Sequence, residues 1–531
     1  MYQRLITRRY LLSKVMPLLA AVAVALCTGM VLIVWSVMGG FLTQLLASGK
    51  SLMGDVSITI PVQGIPYYEE LIDRLEADTE YVAAATPVIQ TLALMNLEIG
   101  APPADVILMG IEPEGYDRVA GYYDLIYWRH IDKPLRKDKL GIDMRLAHRN
   151  PGDPLYGPPG SPREGLRTAS REELDLLYER GKAMGVLDPA SNEIMPAAVV
   201  GTMVTKFNWR RPEGFIEPGR GLFAPSRTIT LTVLPMSDSG VMIEPEEATL
   251  PIANEFSMGV YQVDSKYVLI PFALLQKMLK MDQATRVDPD WQPGSVTFNA
   301  DGTTSFNTGT GTTIEPARAT TIFVRAAEGV TPDQLDERVE QIFDAFYEEK
   351  MADHYWRPST WRENTVFTWE QEPNLRFFIA AVKKETTLVL VLFALISLVS
   401  VVLLFSIFWS MVSEKTKDVG ILRALGASRM GVAWLFMRYG LLLGLVGSIA
   451  GLALAYLIVT NINPIHEWMG RALGVQVWDP SVYYFMDIPN KVDPMRALLV
   501  AGVGSLSALV GAIAPALRAA WMDPVKALRF E

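Results

Sequence analysis

The apolar residues of this chain are concentrated in four long stretches without a charged side chain, residues 15–42, 386–412, 439–466 and 497–517. Each stretch is long enough to cross about 30 Å of hydrocarbon as a helix of roughly 20 residues. A helix of a soluble protein rarely lacks charge on every face over such a length. The pattern therefore predicts four transmembrane helices. A cleaved signal peptide is the alternative for the first stretch, but that apolar run is about twice as long as a signal-peptide core.

Between the first two stretches, runs with a two-residue period alternate with amphipathic helical patterns. Strands are predicted at residues 55–62, 82–97, 106–111, 228–234, 267–270 and 320–324. Helices are predicted at residues 67–78, 170–184, 271–281 and, opened by a capping box at Thr331 with Pro332 in the first turn, up to Lys350. Residues 150–163 are predicted to be a loop, and residues 299–313 a hairpin or loop. The predicted fold class is a membrane α-helical protein with a large α+β extracytoplasmic domain inserted between helices 1 and 2.

Charge sets the predicted orientation, because loops rich in lysine and arginine remain in the cytoplasm. Basic residues cluster before the first stretch, between the second and third, and after the fourth. The remainder must be strongly acidic, since the whole chain has a net charge of −10. An acidic outer domain argues against nucleic-acid binding, which needs a basic surface. Both termini are therefore predicted to be cytoplasmic and the large domain periplasmic.

These patterns predict nine consecutive segments. In chain order they are a cytoplasmic segment (1–15), helix 1 (16–42), the α+β domain (43–385), helix 2 (386–412), a cytoplasmic coupling segment (413–431), helix 3 (432–460), an extracytoplasmic loop (461–496), helix 4 (497–517) and a cytoplasmic tail (518–531). Apolar residues recur at helical spacing in residues 374–385. Two interpretations of that segment are open: the second membrane helix continues outward as a stalk, or a separate amphipathic helix lies on the membrane surface.

No catalytic constellation is evident. Cys27 is the only cysteine, which excludes an intrachain disulfide. Gly49-Lys50-Ser51 resembles the end of a phosphate-binding loop, but Gln44 stands where that motif requires a glycine. The four histidines are scattered without the spacing of metal ligands. We therefore predict a non-catalytic chain that binds no cofactor or metal of its own.

The third stretch contains two Gly-x-x-x-Gly pairs, Gly440 with Gly444 and Gly447 with Gly451. Such pairs permit close contact between membrane helices. Packing within the subunit and dimerisation both remain open as explanations. No ionisable residue lies near the middle of a stretch, which disfavours an ion relay and suits a lipid-like cargo.

Residues 414–428 of the coupling segment read EKTKDVGILRALGAS. Val419, Leu422 and Leu425 are predicted to share one helical face, with Ile421 beside them and charged residues around the rim. A short amphipathic helix of this kind suits a groove on a cytoplasmic partner. A connector lying on lipid headgroups is the alternative.

This segment resembles the coupling helix of FtsX-like permeases, and more closely that of the lipoprotein-releasing LolC/LolE permeases, with MacB-type permeases as neighbours. Similar segments occur at residues 36–41 (SVMGGF), 106–119, 367–378 and 514–531. Residues 150–187 and 288–318 look like insertions relative to that family. The residues that the resemblance assigns to the coupling helix are Glu414, Lys415, Asp418, Val419, Ile421, Leu422, Arg423, Leu425 and Gly426.

The resemblance implies a permease subunit of an ABC transporter in the bacterial inner membrane. Its expected partners are two copies of a cytoplasmic ATPase that binds ATP-Mg, a second identical or homologous permease, and a periplasmic carrier or adaptor. Action by mechanotransmission is expected, with an acylated lipoprotein or lipid as cargo. The cargo cavity would be lined by apolar residues of helices 1 and 2, namely Val31, Val34, Met38, Phe41, Leu395, Val399 and Leu403.

Two other functions remain open. One is a MacB-type efflux permease that works with an adaptor and an outer-membrane channel. The other is a non-transporting scaffold, as in FtsX-like relatives that control cell-wall hydrolases. The sequence does not distinguish a homodimer of permeases from a heterodimer.

Overall fold

The structure is a computed structural model. It describes residues 15–97, 103–130, 148–149, 171–188, 191–210, 216–218, 224–236, 242–258, 260–287, 296–298, 304–306, 312–351, 365–371, 373–473, 478, 488, 490, 492–523 and 525. The predicted loop at 150–163, most of the insertion at 288–318 and nearly all of the predicted N-terminal segment lie outside these residues.

The described helices follow the predicted order of long apolar and short amphipathic segments. They are α1 (Val15–Met53), α2 (Tyr68–Ala77), α3 (Pro113–Ala120), α4 (Tyr122–Leu125), α5 (Arg171–Ala183), α6 (Tyr261–Asp264), α7 (Phe272–Met278), α8 (Pro332–Lys350), α9 (Pro373–Glu414), α10 (Thr416–Ala424), α11 (Arg429–Thr460), α12 (Ile462–Leu473) and α13 (Pro494–Trp521).

The described strands come, in chain order, after α1 and before α9. They are β1 (Val56–Thr59), β2 (Ile65–Pro66), β3 (Val82–Leu97), β4 (Ala104–Ile111), β5 (Arg129–His130), β6 (His148–Arg149), β7 (Gly185–Leu187), β8 (Ile194–Pro196), β9 (Ala198–Gly201), β10 (Asn208–Arg210), β11 (Ile216–Pro218), β12 (Thr228–Val233), β13 (Glu246–Phe256), β14 (Tyr267–Pro271), β15 (Ala284–Val287), β16 (Val296–Phe298), β17 (Thr304–Phe306), β18 (Thr312–Glu315), β19 (Arg318–Ala319), β20 (Thr321–Ala326) and β21 (Val366–Thr368).

The chain divides into two compact units. The helical unit comprises residues 1–44, 377–478 and 487–531, and the α+β unit comprises residues 45–376 and 479–486. Four helices of the described chain contain segments long and apolar enough to cross a membrane: Leu18–Phe41, Thr387–Glu414, Arg429–Thr460 and Pro494–Trp521. The prediction of four such helices and a large α+β region is confirmed.

Each of these helices is longer than the uncharged segment that predicted it. The helix α9 runs without a break from Pro373 to Glu414, so residues 374–385 continue the second membrane helix rather than forming a separate one. Helical hydrogen bonding can continue beyond the hydrocarbon, where charged residues are tolerated. The uncharged stretch therefore does not fix the ends of a helix, and α11 ends at Thr460 although its uncharged stretch continues to residue 466.

Six strands of the α+β unit close into a barrel. The ring runs β3-β4-β14-β9-β13-β12 and returns to β3, because β12 pairs with β3 from Ile229 opposite Leu97 to Val233 opposite Ala93. Alternate residues of small barrels fill the interior. Each strand accordingly contributes buried residues to one hydrophobic cluster, for example Met95, Leu108, Val200, Leu231, Ile252 and Val268.

The first half of β3 belongs to a second layer. There β3 pairs with β20, which pairs with β1, which pairs with β21, all antiparallel. Helices α2 and α8 pack on this sheet through buried residues such as Leu71 and Phe343. The predicted capping box opens α8, with Thr331 accepting from the Gln334 amide and the Gln334 side chain accepting from the Thr331 amide. One long strand thus serves both the barrel and the sheet-and-helix layer.

A buried polar network crosses the barrel strand β13. The two carboxyl oxygens of Glu255 accept hydrogen bonds from Trp128 Nε1 at 2.6 Å and from Asn208 Nδ2 at 2.7 Å. The neighbouring Asn254 amide binds the backbone of Trp128 through both of its polar atoms. Burial raises the pKa of Glu255 to about 8, against the two hydrogen bonds, which lower it. The carboxyl is therefore predominantly protonated at neutral pH.

Candidate functional site

The connector between α9 and α11 is a short helix closed by a fixed turn. Gly426 has a φ of +93°, in the left-handed region that favours glycine. The Gly426 amide donates to the Arg423 carbonyl at 3.1 Å, and the Ala427 amide donates to the Leu422 carbonyl at 3.0 Å. These two bonds form a Schellman motif. Ser428 then caps α11 by accepting from the Gly431 amide at 3.1 Å. The helical part of the predicted segment 413–431 is therefore divided among the end of α9, α10 and the start of α11.

One side of this connector is anchored in the helical unit. Val419 is buried in a small apolar cluster with Val412, Val432 and Ala519, which belong to α9, α11 and α13. The Thr416 hydroxyl donates back to the Ser413 carbonyl at 2.8 Å, which supports the junction between α9 and α10. The position of α10 therefore depends on three of the long helices at once.

The opposite side exposes large apolar side chains. Ile421 is 49% exposed and Leu425 is 81% exposed. The sequence placed Val419, Leu422 and Leu425 on one face. The structure differs for Val419, which is buried in the bundle, whereas Leu425 is exposed directly after the last residue of α10. The exposed apolar surface is formed instead by Ile421 and the turn.

Two exposed residues next to this turn were missed by the sequence reasoning. Met430 is 77% exposed and Trp434 is 56% exposed in the first turns of α11. Their four-residue spacing places them on one face of the helix. Met430 lies in the predicted coupling segment and Trp434 in predicted helix 3, and the sequence assigned neither residue to the exposed apolar surface. The available signal was their position before the central, uncharged part of the helix.

The charged residues of the connector mostly bond locally. Lys415 Nζ lies 3.0 Å from Asp418 Oδ2. Arg423 Nη1 donates to the Ala427 carbonyl at 3.3 Å and so adds to the turn. Glu414 ends α9 with an exposed side chain. These contacts stiffen the connector and leave its apolar side uncovered.

The four predicted packing glycines lie at contacts inside the chain. A Cβ at Gly440 or Gly444 would lie 2.7 Å from Ala512 or Ala508 of α13, respectively. A Cβ at Gly447 would lie 2.7 Å from the Ala21 carbonyl of α1, and at Gly451 it would overlap Thr28 Oγ1. One face of α11 therefore meets α13 along one half and α1 along the other.

Some of the residues predicted to line a cargo cavity are buried in the structure, and others are exposed. Val31 and Phe41 are buried in the helical unit, and Met38 is half-buried. The remaining four are exposed apolar residues: Val34, Leu395, Val399 and Leu403. Val31 packs in a cluster to which the second membrane helix contributes Phe393 and Ile396, two residues that the sequence reasoning missed.

An arginine lies at the start of α13, beside α1. The Arg496 guanidinium lies 5.7 Å from the ring centroid of Trp35, and Arg496 Nε lies 3.3 Å from Asp493 Oδ2. The same guanidinium occupies the space where a Cβ of Gly39 would stand. Gly39 belongs to the SVMGGF segment, and its lack of a side chain permits this contact. Among the described residues, no group of three histidine, cysteine, aspartate or glutamate side chains could hold a metal ion.

One comparison with known proteins covers part of the helical unit. Residues 390–524 match the family model described as FtsX-like permease C-terminal, a range that contains the connector, α11, α13 and most of the apolar segment of α9. These residues are therefore similar to the C-terminal part of FtsX-like permeases. The resemblance inferred from the coupling segment is thereby confirmed.

The chain is also similar to several proteins of lipoprotein-releasing systems. It is 31% identical over 156 residues to the lipoprotein-releasing system transmembrane protein LolC of Neisseria meningitidis, covering 29% of this chain and 38% of that protein. It is 28% identical over 166 residues to LolC of Xylella fastidiosa, covering 31% and 40%. It is 26% identical over 117 residues to LolE of Haemophilus influenzae, covering 22% and 28%. The matched part thus spans at most two fifths of these relatives.

Proposed function

We propose that this chain is the permease subunit of an ATP-driven transporter of the bacterial inner membrane. It extracts acylated lipoproteins, or cargo of similar lipid character, from the outer leaflet. ATP-Mg binds to two copies of a separate cytoplasmic ATPase, and a second permease subunit completes the complex. The FtsX-like domain and the similarity to LolC and LolE proteins support this proposal.

The observation that carries the proposal is the two-sided connector. Its buried side, at Val419, contacts residues of three long helices, and its other side exposes Ile421 and Leu425. An apolar surface on a stiff turn suits a groove in a partner protein. A push on Leu425 would therefore be transmitted to α9, α11 and α13 rather than absorbed by a flexible loop.

Mechanotransmission also needs helices that continue beyond the membrane. The helix α9 has 14 residues before its apolar segment begins at Thr387, and α1 continues for 12 residues after Phe41. We propose that these two extensions are stalks that carry movement of the membrane helices to a periplasmic α+β domain. The domain would lie on that side because the basic segments mark the cytoplasmic ends of the helices.

The test is co-purification in mild detergent followed by mass spectrometry. We expect a stoichiometric ATPase with the wild-type chain and its loss with Leu425→Asp, which places a charge on the exposed apolar turn. The matched control is Val525→Asp, because Val525 is 63% exposed after α13, on the same predicted side of the membrane. That variant should retain the ATPase.

Equal loss in both variants would reject the turn as the docking surface. Absence of an ATPase from the wild-type sample would reject the transporter and favour the scaffold function. Acylated proteins in the wild-type sample would support the proposed cargo, whereas a periplasmic adaptor without acylated protein would favour the efflux function.

A further inference from the structure

The helix α12 turns a polar side toward its own unit. Asn463 is 7% exposed, and its amide binds Ile488 twice: Nδ2 donates to the Ile488 carbonyl at 3.0 Å, and Oδ1 accepts from the Ile488 amide at 2.9 Å. His466 Nε2 accepts from the Trp478 amide at 2.9 Å. Both polar side chains therefore hold backbone that lies between α12 and α13 in the chain.

The apolar side of the same helix is uncovered. Ile465 is 38% exposed, Trp468 is 64% exposed and Leu473 is 69% exposed. At about 100° per residue, the apolar residues of α12 occupy an arc of about 140°, which excludes Asn463, His466 and Gly470. A helix on the surface of a soluble protein has the reverse arrangement, with its apolar side against the protein.

The position of α12 in the chain decides which surroundings suit that side. The membrane-spanning helix α11 ends at Thr460 and α12 begins at Ile462, so a single residue joins them. One residue reaches at most about 3.6 Å, which keeps the start of α12 at the edge of the hydrocarbon. The last turns of α11 also expose large apolar residues, Leu454, Tyr456 and Leu457, as a lipid-facing surface does. The exposed apolar residues of α12 directly follow these residues in the chain.

We propose that α12 is an interfacial membrane helix. Its apolar side, with Ile465, Trp468 and Leu473, is inserted among lipid headgroups and the first acyl carbons, and its Asn463 side ties it to the segment that leads into α13. Helices with a wide apolar arc lie in this plane, and tryptophan favours the interface between lipid and water. The partner is the lipid surface itself. This inference rests on the membrane spans and does not depend on the transported cargo or on an ATPase.

The test uses spin labels on the full chain in phosphatidylethanolamine–phosphatidylglycerol nanodiscs. Cys27→Ser removes the native thiol, and single cysteines are then introduced as Trp468→Cys, Leu473→Cys, Leu457→Cys and Leu92→Cys. Accessibility to oxygen, which concentrates in lipid, is compared with accessibility to a water-soluble nickel chelate. Leu457→Cys supplies the lipid-facing reference on α11, and Leu92→Cys, at a position of the α+β unit that is 76% exposed, supplies the water-facing reference.

We expect labels at 468 and 473 to show an oxygen-to-nickel ratio near that of the label at 457 and several-fold above that of the label at 92. A ratio at 468 and 473 equal to that at 92 would mean exposure to water and would overturn the proposal. Exclusion of both reagents at 468 and 473 would mean that protein covers this side, either a second copy or another segment, and would equally overturn it. Two labelled positions guard against a local disturbance at either one.

Discussion

The interior of the α+β unit and the interior of the helical unit are packed by different kinds of residues. The α+β unit buries large aromatic side chains completely, for example Trp128, Phe256 and Phe343. In the helical unit the close contacts between helices are made by small residues, for example Gly444 against Ala508. The hydrophobic effect in water drives large apolar side chains into the interior of the α+β unit. Lipid provides no hydrophobic effect between helices, so the association of the membrane helices depends on close packing of their backbones.

The comparison predicts the largest effect for removal of a large side chain from the α+β unit. Phe343 is fully buried between α8 and its sheet. Phe343→Ala should lower the free energy of unfolding by about 3–5 kcal/mol, because it leaves a cavity. Thermal unfolding of the full chain in detergent measures this. Leu92→Ala is the control, since Leu92 is 76% exposed and its loss should cost less than about 0.5 kcal/mol. Equal losses would show that this interior is not packed as described.

In the helical unit, the addition of a side chain should be destabilising. Gly451→Val should destabilise the bundle by about 1–3 kcal/mol or more, because the added Cβ overlaps Thr28 and lies 2.5 Å from the Ala25 carbonyl. Gly502→Val is the matched control, as nothing lies within 4 Å of a Cβ built at Gly502. The fraction of monodisperse protein that survives heating in detergent reports the difference. Similar losses for both variants would contradict close packing of α11 on α1.

The third prediction concerns the polar network of β13. Folding retains a proton on Glu255 that the unfolded chain releases, since the pKa rises from 4.5 to about 8. The free energy of unfolding contributed by this group should therefore fall as the pH rises through that window, by about 1.4 kcal/mol between pH 6 and pH 7. Glu255→Gln cannot ionise and should flatten this part of the pH profile of thermal unfolding. An unchanged slope in Glu255→Gln would assign the pH dependence to other groups.

The smallest predicted effect is at the connector. No atom lies within 4 Å of a Cβ built at Gly426, so a side chain there would clash with nothing. The destabilisation would come only from the left-handed backbone conformation at this residue. Gly426→Ala should destabilise the turn by about 1 kcal/mol. Faster hydrogen exchange at the Ala427 amide, which donates to Leu422, would report this opening. Gly502→Ala should leave that exchange rate unchanged.

Several elements could be predicted closely because their causes are local. The strand at residues 82–97 coincides with β3, and the helix opened by Thr331 begins at Pro332 and ends at Lys350 as expected. By contrast, the sequence did not indicate β13, where buried Asn254 and Glu255 stand in a strand interior. Their burial depends on partners far along the chain, such as Trp128 and Asn208, which no local pattern reveals.

The candidate site likewise has features that the sequence predicts and features that it does not. The sequence assigned Gly426 to the coupling helix, whereas the structure places it in the turn after α10. The direction in which each side chain points could not be predicted from the sequence. Val419 is buried because Val412, Val432 and Ala519, from three other helices, pack against it. Leu425 lies outside this cluster and is exposed. The cargo-cavity prediction has the same weakness, since an apolar residue of a membrane helix can face lipid or another helix with equal ease.

The sequence by itself determined four membrane-length apolar helices, the α+β character of the intervening region and the motif that marks the FtsX-like domain. Uncharged length, two-residue alternation and capping residues act within a few positions of one another, so their consequences can be inferred without the fold. Closure of the barrel by β12 on β3, the division of one glycine face between α13 and α1, and the outward apolar side of α12 were decided only by the tertiary structure. Each depends on which distant segments meet, and that choice is made by packing of the whole chain.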